Sequence, residues 1–116
     1  MIDIHNMTDQ ELNEAIAKKK GWIYFPDSHW KWVRYYDEKE CEGDYQSDMP
    51  DYIHDWNLAG GLLEEMRWYI VEISYNAENW LLLLNTPDDI RRFEGKDLKR
   101  VIDEAWLERN ETIGIK

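Results

Sequence analysis

The chain has 116 residues, of which 43% are hydrophobic, and it contains seven Trp and seven Tyr. This length and apolar content are typical of one domain, so we predict a single domain spanning residues 1–116. The formal net charge of −11 and the pI near 4.6 argue against direct binding to DNA, RNA or anionic lipid, because those partners need Lys and Arg to neutralise phosphate. A basic protein is the complementary partner.

The sequence also bears on the compartment. It has no run approaching the 18 apolar residues that a membrane span needs, and residues 1–6 lack the basic and apolar regions of an export signal. The single Cys41 cannot form an internal disulfide. We therefore expect a cytoplasmic protein that does not bind membranes.

The acidic residues are concentrated in residues 37–65, which hold ten carboxylates against one lysine, a charge of −9. Tyrosine and tryptophan are interleaved with these acids, so the stretch differs from a plain acidic tail. We predict that its first half binds a partner. The predicted partner-binding residues are Asp37, Glu38, Glu40, Glu42, Asp44, Tyr45 and Asp48.

Local patterns predict a helix followed by a hairpin in the first third of the chain. Thr8 followed three residues later by Glu11 is a capping-box pattern for a helix start. Gly21 after three lysines is a typical helix end. The aromatic runs at 22–25 and 30–36 are predicted to be two strands joined by a turn.

The rest of the chain is predicted to contain an irregular connection, two helices and two strands. Residues 37–52 lack periodicity and should form a long loop, with a helix beginning near Asp55. Residues 70–75 alternate, whereas the run at 80–84 is apolar throughout, which predicts burial on both faces of a sheet and helices on both sides. A last helix should begin near Asp97.

This order predicts an α+β fold, an α/β/α-type layered sandwich with three helices and a small, mainly antiparallel sheet of about four strands. Within it, Asp55 should cap the second helix while Tyr52 and Trp56 wedge the loop onto the sheet. The remaining acids of the loop have no such structural role in this interpretation.

Several segments carry a resemblance to a known family. They are residues 49–52 (Met-Pro-Asp-Tyr), 55–59 (Asp-Trp-Asn-Leu-Ala), 62–66 (Leu-Leu-Glu-Glu-Met), the opening helix that ends in Gly21-Trp22, and the closing helix near 100–106. In these the chain resembles the phage ABA sandwich domain family of small phage and prophage proteins. The resemblance implies a layered fold and a host bacterial cytoplasm, and it implies no catalytic residues.

Residues able to do chemistry do not form a recognisable motif. Glu64 and Glu65 are adjacent on a helix and point about 100° apart, which is typical of solvated surface. His29, His54 and Cys41 lack the spacing of a metal site, and the acids beside Cys41 disfavour its thiolate. We therefore predict no catalytic residue, no metal, no cofactor and no enzyme activity.

The remaining hypotheses concern binding. The first is a phage-encoded inhibitor or interaction module whose acidic loop docks on a basic host protein, including nucleic-acid-holding effectors; an anti-CRISPR or other anti-defence role is one form of it. In its plain version the acids only keep the protein soluble. The alternative is a small enzyme or ligand-binding protein with an unrecognised pocket. An exposed Trp30 or Trp32 on an edge strand would instead support a homodimer.

Overall fold

The fold consists of α-helices and two antiparallel β-sheets. A computed structural model describes residues 3–37, 39 and 42–113. The helices are α1 (Asp9–Lys19), α2 (Trp56–Met66) and α3 (Leu98–Ile113), with a 3-10 turn at Ile4–Asn6. The strands are β1 (Ile23–Tyr24), β2 (Trp32–Asp37), β3 (Glu42–Gln46), β4 (Ile70–Asn76), β5 (Asn79–Asn85) and β6 (Ile90–Gly95). Across the described part of the chain, every helix is too short or too polar to cross a membrane.

The predicted helix ends are confirmed by their hydrogen bonds. The Thr8 hydroxyl accepts from the backbone N–H of Glu11 at 3.1 Å, and the Glu11 carboxylate accepts from that of Thr8 at 2.9 Å, which completes the capping box. Gly21 follows the helix with a φ of 95°, a left-handed conformation that glycine adopts without steric cost. Asp55 caps α2 by accepting from the N–H of Asn57 at 2.8 Å.

The first sheet has the order β1-β2-β3, with both pairs antiparallel. The predicted hairpin of β1 and β2 is confirmed by the pairing of Ile23 with Val33. The prediction of an irregular connection over 37–52 is wrong, because residues 42–46 form β3 and pair with β2. Strand β3 has the composition Glu-Gly-Asp-Tyr-Gln, which lacks β-branched residues, so its strand conformation comes from pairing with β2 rather than from propensity.

The second sheet has the order β4-β5-β6, again antiparallel. Strands β4 and β5 agree with the prediction, whereas β6 was not predicted. Leu82 and Leu84 of β5 are fully buried, but Leu81 and Leu83 on the opposite face are only half-buried. Within the described residues, α3 is the helix that packs extensively against this sheet, through β5 and β6. The expectation of helices on both sides is therefore wrong for this sheet.

One hydrophobic core joins all three helices, strand β5 and the first sheet. Helix α3 lies at its centre and packs against both α1 and α2. Trp32 of β2 lies in the same core, as does Tyr52 of the connection between β3 and α2. The architecture is thus α+β with three helices and antiparallel pairing, as predicted, but with two three-stranded sheets instead of one sheet of about four strands.

Candidate functional site

Strands β2 and β3 carry four of the predicted partner-binding residues, Asp37, Glu42, Asp44 and Tyr45, and we refer to the described residues of 34–48 as the acidic hairpin. Asp37 at the end of β2, Glu42 at the start of β3 and Asp48 beyond the end of β3 are all exposed. Among the described residues, no cation lies within ion-pair distance of these three carboxylates. Their charges therefore face solvent. Glu38 and Glu40, together with Cys41, lie outside the described residues.

Asp44 differs from these acids because it is half-buried and paired. Its carboxylate accepts a hydrogen bond from the Arg34 guanidinium at 2.9 Å and another from the Tyr36 hydroxyl. The Tyr36 hydrogen bond, reinforced by Arg34, lowers the pKa of Asp44 below its usual value. Arg34 and Asp44 stand directly opposite each other in the β2–β3 ladder. The interpretation that the loop acids have no structural role is therefore wrong for Asp44.

Arg34 links the acidic hairpin to the core. Its guanidinium lies 5.1 Å from the centre of the Trp22 ring, a cation–π contact. The Trp22 indole N–H in turn donates to the Tyr52 hydroxyl at 3.2 Å, and burial raises the pKa of Tyr52. Local sequence patterns do not predict this role, because Arg34 and Asp44 are brought together by the pairing of β2 with β3.

Two tyrosines add aromatic surface beside the acids. Tyr36 is 68% exposed, although its hydroxyl is held by Asp44. Tyr45 is partly exposed, and its ring meets that of Tyr35 edge to face at a centroid distance of 6.2 Å. The hairpin thus brings Asp37, Glu42 and the two tyrosines onto one short β-ribbon, with Asp48 just past its end.

The acids between residues 51 and 65 have local structural partners. Asp51 accepts from the N–H of Ile53 at 3.1 Å, Asp55 caps α2, and Glu65 pairs with Lys20. Glu64 pairs with Arg67. The surface available to a partner is therefore the acidic hairpin rather than the whole acidic stretch.

The aromatic residues of this region divide between core and surface. Tyr52 is buried against the core, as predicted. The prediction for Trp56 is wrong, because its ring is half-exposed on α2, with the Lys99 ammonium 4.4 Å from its centre. Trp32 is buried on the central strand β2, so the idea of a homodimer through Trp32 on an edge strand is also wrong. Trp30 is exposed but precedes β2.

Grooves among the described residues are bordered by histidines. A groove of about 540 Å³ beside β6 and α3 has polar lining side chains that contact one another, such as His5 with Glu104 at 3.0 Å and Arg91 with Glu108 at 2.9 Å. His54 borders a smaller groove of about 290 Å³ and lies 2.9 Å from Asp51. In the described ranges, His, Cys, Asp and Glu form no group of three that could hold a metal ion.

The chain was compared with protein-family models and with curated proteins. No protein-family model matches the chain, and a search of curated proteins finds none that is similar to it. Functional inference therefore rests on the geometry of the acidic hairpin.

Proposed function

We propose that this chain is a non-enzymatic binding protein that docks its acidic hairpin on a basic surface of a host protein. The observation that carries the proposal is the set of exposed carboxylates at Asp37, Glu42 and Asp48, which have no ion-pair partner among the described residues, beside the exposed rings of Tyr36 and Tyr45. Aromatic rings supply contact area at low entropic cost, and the carboxylates supply attraction and orientation.

The position of β3 supports this proposal. Strand β3 lies at the edge of the first sheet, so a partner can approach it without displacing another strand. The anchor through Arg34, Asp44 and Trp22 holds the ribbon in one conformation before binding. A preorganised surface loses less conformational freedom when it binds, which favours affinity.

A partner that normally holds nucleic acid fits this surface best. Asp37 and Glu42 stand opposite each other at one end of the β2–β3 ladder and Asp48 lies past the other end of β3, so the ribbon carries negative charge at both ends that can compete for a groove built to bind phosphates. Inhibition of an anti-viral nuclease or RNA-guided effector is one form of this activity. We place the interaction in a bacterial cytoplasm.

The test compares two charge-reversed variants with the wild type. The hairpin variant replaces Asp37, Glu42 and Asp48 with Lys and leaves Asp44 in place, because Asp44 pairs with Arg34. The control variant replaces three exposed acids outside the hairpin, whose side chains have no partner among the described residues: Asp27, Glu78 and Asp88. Each variant has a net charge of −5 instead of −11.

Tagged proteins are used for affinity capture from bacterial lysate, after circular dichroism shows that all three fold. We expect a protein that the wild type and the control variant retain and that the hairpin variant binds at least about tenfold more weakly. Duplex DNA should displace the captured protein, and added salt should weaken its binding. Equal capture by both variants would show that the acids act only through net charge, which is the solubility explanation.

We also propose that the fold is a layered sandwich related to the phage ABA sandwich domain family. The capping of α2 by Asp55 and the burial of Tyr52 give structural roles to two residues of the segments that carry the resemblance. An experimental structure of a family member is the test, since it should show the same connection between β3 and α2. A different path of the chain between those elements would count against the relationship.

A further inference from the structure

Strand β4 forms an edge of the second sheet and carries exposed apolar side chains. Val71 is 53% exposed, Ile73 36% and Tyr75 58%. Edge strands of monomeric proteins are usually protected by charge, proline or a covering element. Within β4 the one charged residue is Glu72, whose carboxylate accepts a hydrogen bond from the Ser74 hydroxyl of its own chain at 2.9 Å.

The exposure of this edge follows from the placement of α3. That helix packs against β5 and β6, whereas the described structure shows no comparable packing of a helix against β4. Ile73 stands opposite the buried Leu82 in the ladder and therefore lies on the same face of the sheet. The ring of Tyr75 continues this face, 5.1 Å from that of Trp80. The apolar face of the sheet thus extends past the helix to its open edge.

The sequence of β4 is self-complementary in antiparallel pairing. A two-fold axis at Ile73 places Val71 opposite Tyr75 of a second copy, and Glu72 opposite Ser74 of that copy. Apolar residues then meet apolar residues on one face, and each carboxylate meets a hydroxyl on the other. The same operation on β3 about Asp44 would set two carboxylates against each other.

We propose that two copies of this chain pair through β4 to form a symmetric dimer with a continuous six-stranded sheet. The pairing provides hydrogen-bond partners for the backbone N–H and C=O groups along the open edge of β4, and it covers the apolar side chains of both copies. The interface is small and each copy carries a charge of −11, so the dimer should be weak and should strengthen as salt screens the repulsion. The acidic hairpin lies on the other sheet, so this inference does not depend on the proposed function.

The test is sedimentation velocity of the purified full chain at concentrations from about 1 µM to about 1 mM, at low and high salt. We expect a reversible dimer that becomes more populated with added salt. Ile73→Lys sets two like charges against each other at the axis and should weaken dimerisation at least about tenfold. The matched control is Ile90→Lys, which makes the same change at an exposed residue of the opposite edge strand, β6, and should leave the dimer intact.

A cross-link tests the register independently of stability. In a Cys41→Ser background, Ile73→Cys should form an intermolecular disulfide on mild oxidation, because residues on the axis face each other directly. Ile90→Cys in the same background should remain uncross-linked. A wild type that stays monomeric up to about 1 mM, or equal effects of the two lysine variants, would overturn the proposal.

Discussion

Asp103 of α3 gives the chain an unusual pH dependence of stability. Its side chain is 0% exposed, and within the described structure both carboxyl oxygens lack a hydrogen-bond partner. Burial raises its pKa from 3.8 to about 9, with the nearby Asp97 acting in the same direction and Arg100 in the opposite one. The folded protein therefore holds this carboxyl protonated at neutral pH.

The sign of the effect follows from proton binding in the two states. Between the unfolded pKa of 3.8 and the folded pKa of about 9, the unfolded chain releases the proton of Asp103 and the folded chain keeps it. The unfolded state binds fewer protons, so this residue lowers the free energy of unfolding as pH rises, by up to about 1.4 kcal/mol per pH unit. The loss begins near pH 4, reaches at most about 4 kcal/mol at pH 7, and ends above about pH 9.

Asp103→Asn removes the ionisation while keeping the shape of the side chain. The free energy of unfolding of the variant minus that of the wild type should increase steadily from pH 4 to pH 8, with the variant more stable at the upper end. Urea titrations followed by tryptophan fluorescence at several pH values measure this difference. Asp88→Asn makes the same replacement at an exposed position and serves as the control. A difference for Asp103→Asn that does not vary with pH would refute the reasoning.

Two further substitutions test backbone features. Ala77 in the β4–β5 turn has a φ of 57°, so Ala77→Gly should raise the free energy of unfolding by about 1 kcal/mol, and a lower urea midpoint would contradict this. Gly43 packs so closely on β2 that a Cβ would lie 2.1 Å from the Arg34 carbonyl oxygen. Gly43→Ala should therefore lower the free energy of unfolding by about 1–3 kcal/mol, and an unchanged midpoint would show that the hairpin relaxes freely.

Sequence reasoning predicted the helices well because their signals are local. The capping box of Thr8 and Glu11, the left-handed Gly21 and the Asp55 cap each involve residues within four positions of one another. The aromatic strand pair β1–β2 was also predictable, because its two aromatic runs are close together in the sequence and flank the turn residues Pro26, Asp27 and Ser28. The concentration of acid in one stretch is likewise a property of the sequence.

Strands β3 and β6 could not be found in the same way. Polar and charged residues outnumber apolar ones in both, and they become strands because a neighbouring strand pairs with them. The pairing of Asp44 with Arg34 in the candidate site could not be predicted either, because it depends on the pairing of β3 with β2. Tertiary structure therefore decided which acids are structural and which are free.

The sequence by itself determined that the chain is highly acidic and rich in aromatic residues. Only the tertiary structure decided where its surface is open: on the edge of one sheet at the acidic hairpin, and on the edge of the other at β4. The physical reason is that exposure depends on which elements pack together over long distances in the chain. Placing α3 over β5 and β6 buries Leu82 and leaves Ile73, on the same face, at the rim.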